Sequence, residues 1–325
     1  MSIVVVLVEH DRGTLAPASL EALTKGRALA LQLGGTLHAL TVGVDGDGLA
    51  DTITAYGADV IHQAHHPLLT DYGPDAWGET LAQLATAIEP TAVLATGTDR
   101  GQEVMAQAAA RLDLPMVANC GEITPKPGAW EMIRVRWGGS LLERAALDAP
   151  IKLITCTQHS LEPAPAVGQG VVRAFCPTLS PSVATTIVVD RVVVSRGVTL
   201  TTAPVVIAGG RGMESADGFG ILEELAELLG GAVGCSRVAT NNGWRPHADQ
   251  VGQTGTRIAP EIYIACGISG AIQHWVGAMA SKHILAINTD AQANMVRKAD
   301  YAIIGDLHEV IPAITEAVRR TRTGD

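Results

Sequence analysis

Short apolar runs alternate with amphipathic stretches over the first third of the chain. Strands are predicted at residues 3–10, 36–43, 58–65 and 91–97, and helices at 16–33, 75–88 and 101–112. This alternation predicts a mainly parallel sheet with right-handed crossovers. After Pro115 the apolar runs are shorter and rich in Val, Arg, Trp and Gly, which indicates a more antiparallel section.

A domain boundary is predicted near the middle of the chain. Proline-rich stretches at 163–167 and 177–181 interrupt regular structure, and a last strand is predicted at 188–194. The hydrophilic stretch 195–202 follows that strand and is the best candidate for a linker. We therefore divide the chain into an N-terminal α/β domain, residues 1–195, and a C-terminal domain, residues 196–325.

The strand–helix alternation restarts at Pro204. Strands are predicted at 204–210, 231–236, 261–267, 283–288 and 301–306, and helices at 216–229, from about 270, and at 307–320. Five short apolar strands separated by helices predict a doubly wound parallel sheet. In such sheets ligands bind beyond the carboxyl ends of the strands, so the residues that follow each strand are the candidates for function.

Composition and charge narrow the class of protein. Hydrophobic residues make up 47% of the 325 residues but aromatic residues only 3%, which suits a core of Ala, Val, Leu and Ile around a parallel sheet. A net charge of −10 argues against nucleic acid as a partner. The five cysteines are scattered without a CxxC pair, which indicates reduced core residues. No targeting pattern and no apolar run of about 20 residues is present, so we expect a cytoplasmic protein without direct membrane insertion.

Glycines and an arginine follow the first strand of the C-terminal domain. The glycines of the run 209–212 let the backbone approach a phosphate, and Arg211 can form charge-assisted hydrogen bonds to it. A tight turn also favours glycine, so this motif alone leaves both interpretations open. Ser236 and Arg237 end the second strand at the corresponding place, and a turn-rich stretch follows at 251–255.

The remaining strand ends are also polar. The third strand leads into GISGAIQH (267–274), where a helix N-terminus can receive a diphosphate, although a lone histidine such as His274 is more often a surface or core residue. Asn288 and Asp306 end the last two strands and suit ribose hydroxyl groups, but both are common turn and cap residues. Together, five consecutive strand ends with ligand-competent residues predict a dinucleotide site.

The residue types favour a flavin over a nicotinamide. A ring bound near Arg237, Thr254 and His274 would meet two potential positive charges and one hydroxyl group. Positive charge beside the N1/C2-carbonyl edge of a flavin favours its reduced, negatively charged forms, and a nicotinamide needs no such arrangement. An NAD-dependent oxidoreductase on the same fold is the alternative. A metal site at His62, His65 and His66 is disfavoured against a solvated loop, because no carboxylate pattern accompanies these residues.

Several motifs closely resemble the α subunit of electron transfer flavoproteins. They are QVGQTG (250–255), PEIYIACGISGAIQH (260–274), SKHILAIN (281–288) and ADYAIIGD (299–306), with GGRG (209–212) and SR (236–237) at matching spacings. The resemblance covers residues 204–320 and extends more loosely to LVEHDRG (7–13) and GTDRGQEV (97–104).

The resemblance implies FAD as the cofactor and a set of residues that contact it. Arg237 is expected against the isoalloxazine ring, Thr254 near N5 and His274 near the C2 carbonyl, with the polar residues after the last strands at the adenosine end. The full set is Arg211, Ser236, Arg237, Val251, Gly252, Gln253, Thr254, Ser269, Gly270, Ala271, Ile272, Gln273, His274, Asn288, Asp306 and Leu307. No catalytic and no metal-binding residues are expected.

The resemblance also implies partners. The family forms heterodimers with a β subunit that carries AMP or a second FAD, and the N-terminal domain serves as a scaffold that contacts β. A flavin-dependent dehydrogenase is the expected electron donor and a quinone oxidoreductase the expected acceptor, so the chain is expected to be an electron carrier and not an enzyme.

The alternatives are an electron-bifurcating α subunit that uses NADH and a structural subunit with a vestigial site. The sequence departs from the family pattern at Thr157–Gln158, Thr256, Thr289, Gln292 and Asn294, which leaves the choice of partner open.

Overall fold

The computed structural model describes residues 2–139, 141–189 and 198–323, which form two compact units. Of the described residues, unit 1 comprises 2–137 and 141–189, and unit 2 comprises 138–139 and 198–323. The boundary predicted at 195/196 lies outside the described residues, as does most of the strand predicted at 188–194.

Unit 1 contains a nine-stranded sheet flanked by helices. Its strands are β1 (Ile3–Leu7), β2 (His10–Asp11), β3 (Thr14–Leu15), β4 (Thr36–Val42), β5 (Val60–Ala64), β6 (Ala92–Thr96), β7 (Met116–Thr124), β8 (Trp130–Arg136), β9 (Leu141–Leu147), β10 (Lys152–Cys156) and β11 (Val171–Phe175). Its helices are α1 (Pro17–Gln32), α2 (Ala50–Ala55), α3 (Pro74–Ile88) and α4 (Asp99–Leu112). The strand order is β11-β5-β4-β1-β6-β10-β7-β8-β9, and β2 and β3 form a separate hairpin.

Both faces of this sheet are buried along its central strands. Alternate residues of β1 enter different cores, since Val4 and Val6 belong to one cluster and Val5 and Leu7 to the other. Burial on both faces explains why the central strands read as continuous apolar runs. The predicted parallel strands are confirmed, and β7, β8 and β9 pair antiparallel as the change of pattern after Pro115 indicates.

The edge strand β11, which pairs parallel with β5, was not predicted from the sequence. Its residues Val171 and Val172 are 45% and 48% exposed, so the strand lacks the alternation of a half-buried strand. It also lies between the two proline-rich stretches that we read as irregular. Pairing with β5, which is distant in sequence, therefore defines this strand more than its local pattern does.

Unit 2 contains a five-stranded, entirely parallel sheet with the order β13-β12-β14-β15-β16. Its strands are β12 (Val205–Gly209), β13 (Ala232–Cys235), β14 (Ile262–Cys266), β15 (His283–Asn288) and β16 (Tyr301–Ile304). Its helices are α5 (Gly220–Leu229), α6 (Arg237–Asn241), α7 (Ile272–Ala278), α8 (Asn294–Lys298) and α9 (Leu307–Thr323). The predicted α/β fold with a doubly wound sheet is confirmed. The short helices α6 and α8 were missed, because five residues are too few to establish a helical period.

Both faces of the unit 2 sheet are also covered. Val206 and Tyr263 pack in one cluster, and Ile207 and Ile264 pack in the other with α5 and α9 residues. The five carboxyl ends of the strands therefore meet at one edge, where backbone loops turn towards the helices. Among the described helices, none combines the length and the apolar character that crossing a membrane requires.

Candidate functional site

A cavity of about 610 Å³ lies at the carboxyl edge of the unit 2 sheet. Its volume is within the roughly 300–1,000 Å³ range of ligand pockets. Eleven of the sixteen predicted residues line it: Arg211, Ser236, Arg237, Ser269, Gly270, Ala271, Gln273, His274, Asn288, Asp306 and Leu307. The structure brings them together because parallel strands end at the same edge.

Other residues of the cavity wall were not in the predicted set, although Gly212, Gly267 and Ile268 belong to motifs singled out in the sequence. They are Gly212, Glu214, Val238, Asn241, Gly267, Ile268, Thr289, Asp290, Ala293, Gly305 and His308. Most lie one to five residues beyond a predicted position, so extending each strand-end motif along the chain would have found them. Glu214, three residues after Arg211, has a left-handed backbone (φ 61°), which is uncommon for a residue other than glycine and which its residue type does not predict.

The other five predicted residues are Val251, Gly252, Gln253, Thr254 and Ile272, and they are not among those that line the cavity. Val251 is buried in the core, and its N–H donates to the Cys235 carbonyl at 2.9 Å. The Thr254 hydroxyl accepts a hydrogen bond of 3.0 Å from the Gln250 amide. The Gln253 N–H donates to the Gln273 carbonyl of α7 at 2.7 Å. The loop 250–256 is thus held against α7 and supports the residues that line the cavity.

Close backbone contact sets the distance between this loop and α7. A Cβ atom on Gly277 would lie 2.3 Å from the Gly252 nitrogen, which real Cβ atoms do not approach. Gly270 has a positive φ of 76°, and a Cβ there would lie 2.3 Å from the Met295 nitrogen. Glycine is therefore required at both positions, where α7 meets its two neighbouring segments. The helix itself begins at Ile272, two residues later than predicted.

Two guanidinium groups line the cavity without an acidic partner. Among the described residues, neither Arg211 nor Arg237 forms an ion pair. Arg245 differs, because it pairs with Glu223 and with Asp249, the latter at 2.8 Å. Unpaired guanidinium groups at a cavity wall are suited to a phosphate or another anionic group, which they bind through charge-assisted hydrogen bonds.

Ser236 and His274 each place a buried, unpartnered polar atom at the cavity. The Ser236 side chain is buried, and its Oγ has no hydrogen-bond partner among the described residues. The same holds for Nδ1 of His274, whose side chain is 7% exposed. A buried polar group without a partner costs about 1–3 kcal/mol, so a ligand that hydrogen-bonds to these two atoms would gain binding energy from them.

The lowered pKa of His274 leaves its imidazole uncharged at neutral pH, so the potential positive charge noted in the sequence is not present there. Burial lowers its pKa to about 4, and the nearby Val251 carbonyl opposes this decrease only partly. That carbonyl does not reach hydrogen-bond geometry with Nδ1. The other ring nitrogen, Nε2, lies 2.6 Å from the Tyr263 hydroxyl. His274 can therefore offer a hydrogen bond, and it gains charge only if a bound anion raises its pKa.

Asn288 and Asp306 line the cavity but also shape their own loops. The Asn288 amide nitrogen donates to the Ile268 carbonyl at 3.2 Å, and its Oδ1 accepts from the Asp290 N–H at 3.0 Å. Asp306 Oδ1 accepts from the His308 N–H at 2.9 Å at the start of α9. Both interpretations of these residues, as turn formers and as cavity residues, apply together. Leu307 is 5% exposed and anchors α9 in the core beside them.

The three histidines near the end of β5 have different partners. His62 Nε2 lies 3.0 Å from His38 Nδ1, His65 Nε2 lies 2.9 Å from Asp47 Oδ1, and His66 Nδ1 accepts from the Leu68 N–H. In residues 2–139, 141–189 and 198–323, no cluster of three or more His, Cys, Asp or Glu side chains has the arrangement of a metal site.

Comparison with known proteins identifies the family. The electron transfer flavoprotein domain matches residues 4–179, and the electron transfer flavoprotein FAD-binding domain matches residues 199–279. The second match includes the cavity residues from Arg211 to His274, whereas Asn288, Asp306 and Leu307 lie beyond it.

Full-length relatives agree with these matches. The electron transfer flavoprotein subunit alpha of Mycobacterium tuberculosis is 37% identical over 98% of this chain and 99% of its own length. That of Bacillus subtilis is 33% identical over 98% and 97%. Protein FixB of Clostridium saccharobutylicum is 36% identical over 95% and 94%. The resemblance seen in the sequence motifs is confirmed, and the chain belongs to the α-subunit family of electron transfer flavoproteins.

Proposed function

We propose that the chain is the FAD-carrying α subunit of a heterodimeric electron transfer flavoprotein. It accepts electrons from a flavin-dependent dehydrogenase and passes them to a downstream acceptor such as a quinone oxidoreductase. The observation that most supports this is the cavity of unit 2, in a segment that matches the family's FAD-binding domain. Two unpaired guanidinium groups and two unpartnered buried polar atoms meet there.

The residues of the cavity fit the chemistry of FAD. The diphosphate is the anionic part, and Arg211 with the Ser269–Gly270 backbone is suited to it. Arg237 and His274 are proposed to bind the flavin ring, and Asn288 and Asp306 the adenosine end. Ser236 Oγ, which lacks a partner, is available to a polar group of the cofactor. Residues Val251–Thr254 are proposed to contribute through the loop that holds α7 in place.

Electron transfer requires binding and tuning more than acid–base chemistry. FAD, when bound, supplies the acceptance and release of electrons. The Arg237 guanidinium places a fixed positive charge at the cavity wall, and His274 offers a neutral hydrogen bond there. The roles proposed for Arg237 and His274 involve no proton transfer and no covalent bond. We therefore propose an electron carrier without its own substrate-turnover site.

The proposal includes a β subunit as the partner chain. Unit 1 is proposed as the scaffold that contacts β, which would carry AMP or a second FAD. The departures at Thr157–Gln158, Thr256 and Thr289 are candidates for partner choice.

Purification of the full chain, co-expressed with its β subunit, tests this function. We expect one FAD per heterodimer together with AMP, identified by mass spectrometry after release. We also expect the bound flavin to be reduced by a flavin-dependent dehydrogenase in the presence of its substrate. Two FAD per heterodimer, with reduction by NADH, would instead indicate bifurcation. A protein without flavin that binds NAD would refute the carrier proposal.

A further inference from the structure

Tyr263 and His274 form a buried hydrogen-bonded pair at the cavity. Tyr263 lies in β14 and has no exposed surface, and its Oη is 2.6 Å from His274 Nε2. The two ring centroids are 6.1 Å apart. His274 lines the cavity whereas Tyr263 is not among the residues that do. Tyr263 can therefore influence a bound group only through His274.

The direction of this hydrogen bond follows from counting donors and acceptors. A neutral imidazole has one N–H and one acceptor nitrogen, and the phenol can either donate or accept. Within the described part of the chain, Tyr263 Oη has no hydrogen-bond partner other than His274. If Nε2 donated to Oη, both the phenol proton and the Nδ1 lone pair would be left unsatisfied. If Oη donates to Nε2, only the Nδ1–H remains without a full partner.

The surroundings of both rings agree with this direction. Burial raises the pKa of Tyr263 well above its usual value, so the phenol keeps its proton. The lowered pKa of His274 leaves the imidazole with a single proton at neutral pH. The Val251 carbonyl near Nδ1 attracts an N–H and would repel a lone pair. The two pKa shifts leave a protonated phenol and a single ring proton, and the donor–acceptor count then favours Nδ1 for that proton.

We propose that Tyr263 is a positioning residue that fixes His274 as the neutral Nδ1–H tautomer, so that a bound group meets a hydrogen-bond donor of fixed orientation. The consequence for the flavin rests on the proposed function, because it requires FAD in this cavity. The tautomer itself is a property of the chain and can be measured without the cofactor. Nε2 is occupied by Tyr263, which leaves Nδ1 as the ring nitrogen available to a ligand.

Nitrogen-15 NMR of the full chain with labelled histidine tests the tautomer directly. The chain has 10 histidines, and a His274→Gln variant identifies the signal of His274 by its loss. At pH 7 we expect a protonated Nδ1 and an unprotonated Nε2. In Tyr263→Phe the donor to Nε2 is absent, so we expect a population with protonated Nε2. Tyr301→Phe is the matched control, because Tyr301 is in the same unit and 64% exposed.

FAD titration of the same samples connects the tautomer to binding. We expect the FAD dissociation constant to rise about fivefold in Tyr263→Phe, since a neutral hydrogen bond is weakened, and to stay constant in Tyr301→Phe. A wild-type spectrum with protonated Nε2 or a doubly protonated ring would overturn the proposal, even if Tyr263→Phe does not fold. An unchanged tautomer or an unchanged dissociation constant in a folded Tyr263→Phe would also overturn it. Wild-type protein that does not bind FAD would contradict the proposed function but leave the tautomer measurement valid.

Discussion

Replacing Gly277 with alanine tests whether contact between α7 and the loop 250–256 supports the cavity. At most helix positions, replacing glycine with alanine stabilises the helix by up to about 1 kcal/mol. At Gly277 the new Cβ would lie 2.3 Å from the nitrogen and 2.4 Å from the Cα of Gly252. Both atoms belong to the main chain, so only a shift of the loop or the helix relieves the contact. Overpacking of this kind costs about 1–3 kcal/mol, which exceeds the gain in helix propensity.

We therefore expect Gly277→Ala to lower the free energy of unfolding of unit 2 by about 1–2 kcal/mol, with weaker FAD binding. Gly220→Ala is the matched control, because a Cβ at this exposed first residue of α5 meets nothing within 4 Å. Equilibrium urea unfolding measures the change, and hydrogen exchange of peptides from α7 assigns the transition to unit 2. A Gly277→Ala protein at least as stable as wild type, with unchanged FAD affinity, would refute this reasoning.

Three further predictions concern the polar residues. Ser236→Ala removes a buried Oγ that has no partner among the described residues, so we expect the stability without FAD to be unchanged or slightly higher. We expect calorimetry to show FAD binding that is several-fold weaker. Equal FAD affinities of the variant and the wild type would exclude a contact between Ser236 Oγ and FAD. Arg237→Gln is expected to weaken FAD binding roughly tenfold or more and to reduce its salt dependence, whereas the ion-paired Arg245→Gln should mainly lower stability. His62 is buried against His38, and its pKa is lowered to about 4, so the unfolded state takes up a proton first as the pH falls. Stability should therefore decrease between about pH 6.5 and pH 4 by on the order of 3 kcal/mol, and His62→Gln should flatten this decrease, in contrast to the exposed His283→Gln.

The strand–helix alternation was predictable because the parallel strands of both units are buried and helices follow most of them. The hydrophobic pattern did not predict elements that are short or exposed. The edge strand β11 forms by pairing with β5, and α6 and α8 have five residues each. In these segments tertiary contacts determine the conformation, and the local pattern of apolar and polar residues does not predict it.

The sequence predicted where the candidate site lies, at the carboxyl ends of the unit 2 strands. It did not predict the protonation state of the residues there. The rule that ligands bind beyond the carboxyl ends of parallel strands selected Arg211, Ser236 and Arg237, and all three line one cavity. The lowered pKa of His274 could not be read from its motif, because it results from burial in the folded chain. Its hydrogen-bond partner, the Tyr263 hydroxyl, lies eleven residues earlier and outside the motif. One signal was present: a tyrosine inside the apolar strand IYIAC needs a partner for its hydroxyl group.

The unpartnered Ser236 Oγ and His274 Nδ1 have a consequence for the stability of the protein in the cell. They make the free energy of unfolding of unit 2 depend on the concentration of its ligand. A ligand that hydrogen-bonds to both atoms stabilises only the folded chain, because the unfolded chain has no such site. At a free ligand concentration 1,000 times the dissociation constant, this stabilisation is about 4 kcal/mol. Newly made chains that have not met a flavin are then the ones that unfold and are degraded most often. We expect the amount of this protein in a cell to follow the availability of riboflavin even when its rate of synthesis is constant.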